Sequence, residues 1–143
     1  MTIIVDTSAI LAVFDEDQDH HDAVAAAVKA SHGESLVVSP MIVAEADYML
    51  YSRLGIGAAS AFARDVAAEA YELASWDAED HAAALDLITG YHDDYVGVAD
   101  ASNVVLADRY RTTRLLTLDQ RQFRVLQPLW GADAFTLLPF DQD

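Results

Sequence analysis

Short apolar runs alternate with longer helical stretches along this chain, and that alternation limits the fold more than any other feature. Thr-Ile-Ile-Val at 2–5 is a β-branched run that stops at once on Asp6-Thr7-Ser8, the pattern of a buried strand running into a turn and a helix start. A helix is expected over 9–14, closed by the acidic stretch 15–19, and an Ala-rich helix over 21–31 with Gly33 as its stop. Leu36-Val37-Val38 is a second strand. Ser39-Pro40 then opens a helix with serine as cap and proline in the first turn; it runs to about Arg53, and Gly55 and Gly57 break it. Helices over 58–69, 77–88 and 98–110, a short strand over 71–74 and a polar, aromatic loop over 90–97 follow. A buried strand over 114–118, a short helix over 121–126 and a last strand over 135–138 complete the series. Strands that alternate with helices give an α/β class with a parallel sheet covered on both faces.

The 143 residues suit one domain, 1–143, around one main core. A hydrophobic share of 53% argues against disorder. The chain has no cysteine, which removes disulfides, thiolate metal sites and thiol catalysis together. Its start lacks a basic segment and Asp6 interrupts the apolar run, so it does not read as a signal peptide; no apolar run is long enough to cross a membrane. A soluble cytoplasmic domain is expected. Eight Lys and Arg against 24 Asp and Glu give a net charge of −16, a field that repels nucleic acid at long range. Five of the eight basic residues, however, fall between 109 and 124.

In open α/β sheets the ligand site lies beyond the carboxyl ends of the strands. Asp6 follows the first strand and Asp119 follows the 114–118 strand, so both belong there. Glu45 sits three residues after Ile42 and four before Met49, on or beside the buried stripe of its helix, where a carboxylate is costly without a partner; an exposed boundary position is the plain alternative. Asp100 opens an Ala-rich helix, where an acid also serves as a first-turn residue, and Asn103 lies one turn further on the same face. Four gathered carboxylates raise one another's pKa values, a cost that a divalent cation removes. Oxygen-only ligands select Mg²⁺ or Mn²⁺ over Zn²⁺, and a water carried by such an ion serves as a nucleophile toward a phosphodiester.

These residues resemble the PIN-domain ribonucleases, and more closely the VapC-type toxins of bacterial toxin–antitoxin pairs. Ile4-Val5-Asp6-Thr7-Ser8-Ala9 is similar to the first-acid motif of that family, and the stretch Val38-Ser39-Pro40-Met41-Ile42-Val43-Ala44-Glu45 to the second. Gly97-Val98-Ala99-Asp100-Ala101 resembles the third, and Leu116-Thr117-Leu118-Asp119-Gln120-Arg121-Gln122-Phe123 the fourth. The chain departs from the pattern at Gln122, where many relatives carry an acid, at Ala46, where a larger apolar residue is frequent, and at Asn103, near a position that is sometimes acidic. The resemblance implies a three-layer fold with a five-stranded parallel sheet, often as a homodimer. It implies an Mg²⁺- or Mn²⁺-dependent endoribonuclease acting on a structured RNA such as tRNA or rRNA. It also implies a small VapB-type antitoxin that blocks the site.

Asp6, Glu45, Asp100 and Asp119 are therefore the candidate catalytic and metal-ligating set, expected to converge on one cleft. Thr7, Ser8, Asn103 and Thr117 are accessory candidates. Arg121 and Arg124, one turn apart beside Asp119, are the candidates for RNA phosphates; Arg109 and Arg111 have a sufficient explanation in the helix macrodipole. The alternative for all these arginines is ordinary ion pairing with the chain's many acids. His20, His21, His32, His81 and His92 show no ligand spacing and read as surface residues. Ser8 lacks a Ser-His-Asp context, and with Thr7 it reads as a cap or a partner of the acids. Tyr91 and Tyr95 read as packing or as an RNA-facing edge; Tyr48, Tyr51, Phe62 and Tyr71 read as core or dimer surface. The competing functions are a phosphatase or phosphotransferase of another α/β carboxylate fold and a non-catalytic binding module. The first is disfavoured by Asp-Thr-Ser after the first strand and by Lys29 as the sole lysine, the second by the presence of all four acids.

Overall fold

A computed structural model describes residues 1–91 and 95–141. His92 and part of the 90–97 loop lie outside them.

The first strand, β1 (Thr2–Val5), is central. It pairs in parallel with β2 (Ser35–Val38) on one side and β4 (Arg114–Leu116) on the other. β3 (Glu72–Leu73) and β5 (Thr136–Leu138) complete the sheet, in the order β3-β2-β1-β4-β5 with every pairing parallel. Because side chains alternate along a strand, each strand feeds two cores. Ile4, Val37, Leu115 and Leu137 pack beneath α5 (Ala78–Gly90), α6 (Val98–Arg109) and α7 (Gln120–Val125). Ile3, Val5, Val38, Leu116 and Leu138 pack on the other face, beneath α1 (Thr7–Phe14), α2 (His21–Ala30), α3 (Pro40–Leu54) and α4 (Ile56–Ala67). The result is the expected three-layer arrangement around a five-stranded parallel sheet.

Local chemistry sets the boundaries. Ser39 caps α3 by accepting from the Met41 N–H at 3.1 Å, with Pro40 at the first helical position. Asp77 and Asp80 form a reciprocal capping box at the start of α5. Gly55 alone separates α3 from α4; its φ of 93° is a conformation that favours glycine, whereas Gly57 is helical and breaks nothing. The 114–118 strand stops early. Thr117 N–H still bonds Leu138 O at 3.0 Å, but the Leu118 N–H turns away from the sheet to Ser8 Oγ at 2.8 Å. That turn helps to build the site. Among the described residues no helix is long and apolar enough to cross a membrane.

Candidate active site

Asp6 anchors the site. Its backbone continues the sheet, with its N–H bonded to Leu116 O at 2.9 Å. It stands at the N-cap of α1, yet its side chain makes no capping bond. The carboxylate is instead drawn sideways into a buried network. Thr117 Oγ1 donates to Oδ2 at 2.7 Å, Ser8 Oγ donates to the same oxygen at 3.1 Å, and Asn103 Nδ2 donates to Oδ1 at 3.1 Å. Each hydroxyl accepts a backbone N–H in turn, Ser8 from Leu118 at 2.8 Å and Thr117 from Asp119 at 3.0 Å. The two hydroxyls also stand 3.2 Å from each other, so Asp6 Oδ2, Ser8 and Thr117 form one closed network. Burial pushes the Asp6 carboxyl above its usual range; the bonds from Thr117, Ser8 and the Thr7 backbone work against that rise, and the negative charge of Asp119 adds to it.

The other three acids surround this buried one. Asp100, in the first turn of α6, is pushed up to about 7, first by burial and then by the charges of Asp6, Asp119 and Glu45. The four acids thus form one electrostatic unit drawn from four separate parts of the chain. Glu45 is exposed: Ile42, Ala46 and Leu50 make the buried stripe of α3, and Glu45 stands at its edge. It faces a cleft of about 390 Å³ that it shares with Asp100, Tyr95 and Gly97. Asp119 is exposed as well. It caps α7 by accepting the Gln122 N–H on Oδ1 at 3.0 Å, and it opens onto a separate cleft of about 330 Å³ beside Ser8 and Leu118. The acids accordingly serve two clefts, with Asp6 buried and coupled to both sides. Among the described residues no three acidic or histidine side chains stand within reach of a single ion.

The donor set nevertheless suits a hard divalent cation. It is oxygen-only, and its members raise one another's affinity for positive charge. Asn103 Oδ1 and Thr7 Oγ1, both buried beside Asp6, have no hydrogen-bond partner, so acceptor capacity is left over there. Ser8 is fully engaged, donating to Asp6 and accepting from Leu118, which suits a positioning group rather than a nucleophile.

Of the two arginines expected to meet RNA phosphates, one is engaged within the protein. Arg124 makes a two-pronged pair with Asp141 at 2.7 and 2.8 Å and also bonds Gln120. Arg109 pairs with Asp80 at 2.8 Å, Arg111 with Asp108 at 2.7 Å, and Arg114 with Glu34. The candidate Arg124 is therefore committed to the protein itself, and ordinary ion pairing accounts for four of the five arginines in that stretch. Arg121 is exposed and has no ion pair among the described residues. Outside that stretch, Arg53 opens onto the Asp119 cleft. Sequence reasoning misses it, because an arginine at the end of a helix already has a sufficient explanation in the macrodipole. Of the histidines, His21 holds Ala12 O through Nδ1 at 2.6 Å and His81 stacks edge-on to Trp76; neither approaches the acids. Tyr95 is 88% exposed at the rim of the Asp100 cleft, Phe62 is core, and Tyr48 and Tyr51 are on the surface of α3.

Comparison with known proteins agrees with this fold. The PIN domain profile matches residues 3–127. The chain is 47% identical over 137 residues to Ribonuclease VapC26 of Mycobacterium tuberculosis, a match that covers 96% of this chain and 100% of that protein. Its fold is similar to the crystal structure of Mycobacterium tuberculosis VapC20, a Sarcin-Ricin loop cleaving toxin. The TM-score is 0.76 at 18% identity, over 84% of this chain and 92% of that one. VapBC2 from Rickettsia felis, solved with a DNA fragment from its promoter, matches at a TM-score of 0.62 and 15% identity, over 82% and 87% of the two chains. At those identities the likeness to the two solved structures is one of fold.

Proposed function

Since this chain belongs to the PIN domain family, we propose that it is a divalent-cation-dependent endoribonuclease, the toxin of a type II toxin–antitoxin pair, which hydrolyses phosphodiester bonds of a structured RNA such as tRNA or rRNA. The observation that carries this reading is the coupling of Asp6, Glu45, Asp100 and Asp119 into one charged unit beyond the carboxyl ends of the two central strands. The near half-identity to a named ribonuclease along almost the whole chain supports it.

Asp6, Asp100, Glu45 and Asp119 would between them hold one or two Mg²⁺ or Mn²⁺ ions, whose bound charge would neutralise the developing phosphate charge and make water nucleophilic. The chain's own part is to aim and to discharge. Thr117, Ser8 and Asn103 fix the orientation of Asp6, so that one carboxylate is set before substrate arrives. Asp100, with a pKa of about 7, releases its proton near neutrality as positive charge enters the site. Arg121 is the remaining candidate of the basic segment for an RNA phosphate.

The acidic surface suits a basic antitoxin segment that covers the acids. The exposed Tyr48, Tyr51 and Ile56 on α3 and α4 border a groove of about 410 Å³, a surface suited to that antitoxin or to a second copy of the chain. The decisive experiment incubates the purified chain with tRNA transcripts and rRNA hairpins in Mg²⁺, Mn²⁺ or EDTA. Discrete cuts with either cation and none in EDTA are expected. Intact RNA together with phosphate release from a small ester would point to the phosphatase alternative, and no reaction of either kind to a binding module.

A further inference from the structure

The cleft beside Asp119 carries more chemistry than the acids alone require. Leu11, Leu54 and Leu118 give it an apolar lining, and Ser8 and Asp119 of the acid site line it too. At about 330 Å³ it falls at the small end of the range for small-molecule sites. Arg53, in the last turn of α3, opens onto it. This guanidinium is exposed and has neither an ion pair nor a hydrogen bond among the described residues, in a chain with 24 acidic residues. Arg109, Arg111, Arg114 and Arg124 are all paired; among the described residues Arg53 shares its unpaired state with Arg64 and Arg121, and it differs from those two in lining this cleft.

We propose that this cleft seats one unpaired nucleotide of the RNA strand, adjacent to the bond being cut, with its base on Leu11, Leu54 and Leu118 and its backbone phosphate on Arg53. The assignment rests on the nuclease reading and deepens it. An apolar lining of this kind takes the face of a base that is out of its stack. A guanidinium with free donors recognises a phosphate in two-pronged fashion. Asp15 and Gln18 also line the cleft.

The test uses the full chain and whichever tRNA or rRNA transcript it cuts best. Arg53→Ala should raise KM about tenfold and leave kcat within about twofold. It should also flatten the dependence of log KM on log salt by about 0.7, the share of one phosphate contact on a single strand. Arg53→Lys should restore most of the salt dependence. Leu54→Ser should raise KM without altering the salt dependence. Both side chains are exposed, and unchanged melting temperatures would establish that the variants are folded. Wild-type KM and salt dependence in Arg53→Ala overturn the assignment and leave the nuclease reading standing. The assignment is equally overturned if Arg53→Ala weakens only the binding of a basic antitoxin peptide. A wild-type chain that cuts no RNA with any cation overturns both.

Discussion

Replacing Asp100 by asparagine removes one of four mutually repelling carboxylates while keeping the shape of the side chain, and its effect on metal-free stability can be worked from the structure. The folded carboxyl sits at about 7 against an ordinary 3.8. At 1.36 kcal/mol per pH unit the ceiling on the effect is about 4 kcal/mol. Asp100 is only partly buried, and solvent screening brings the expected figure to about 1–2 kcal/mol. The sign follows from proton binding. Well below 3.8, Asp100 is neutral whether the chain is folded or unfolded, and wild type and variant match. As the pH rises towards 7 the unfolded chain gives up its proton first, so the wild type loses stability relative to Asp100→Asn. Above that pH both states are ionised and the gap is constant. In EDTA the variant should melt about 3–7 °C higher than wild type at pH 8. The gap should shrink at pH 5, and it should also shrink when Mg²⁺ or Mn²⁺ stabilises the wild type. Fluorescence-monitored melting across pH 5–8 reads all of this. A gap of the same size at pH 5 and pH 8, or a variant that melts lower at pH 8, would refute the coupling.

Asp6→Asn keeps the shape of the buried side chain and removes its charge, and RNA cleavage in Mg²⁺ should disappear in an assay of product bands, as it should in Asp100→Asn. Arg124→Glu breaks an exposed pair with Asp141 and should cost less than about 1 kcal/mol by denaturant titration, leaving cleavage within about twofold of wild type. Arg121→Glu, at a side chain free of such pairs, should lower the cleavage rate in the same assay while sparing Mg²⁺ affinity.

The sheet and the strand-end place of Asp6 are readable in sequence because both rest on local rules. A β-branched run that stops on an acid marks a strand end, and Asp6 lies where that rule puts it, with its N–H still bonded to Leu116. Asp77 and Ser39 announce their helices because capping acts over two or three residues. The arginines are not readable for the opposite reason. Arg114 finds Glu34 across 80 residues and Arg109 finds Ser75 across 34. No spacing rule reaches that far, so a basic cluster in sequence becomes a set of separate ion pairs in space. Glu45 shows the limit of periodicity alone: a position three residues from a buried one falls at the edge of the stripe, and only the neighbouring helix decides that the edge is a cleft. The division of the acids between two clefts depends on Asp119 spending one oxygen on its own helix, a choice made by backbone geometry.

The hydroxyl clamp on Asp6 also fixes when the site can exist during synthesis. Its donors are Ser8, two residues away, and Asn103 and Thr117, which are 97 and 111 residues further along. The strand that delivers Thr117 is closed by a bond from its N–H to Leu138. A ribosome must therefore make nearly all of this chain before its first aspartate is aimed. For a protein proposed to cut RNA, the growing chain is harmless to the machine that is making it.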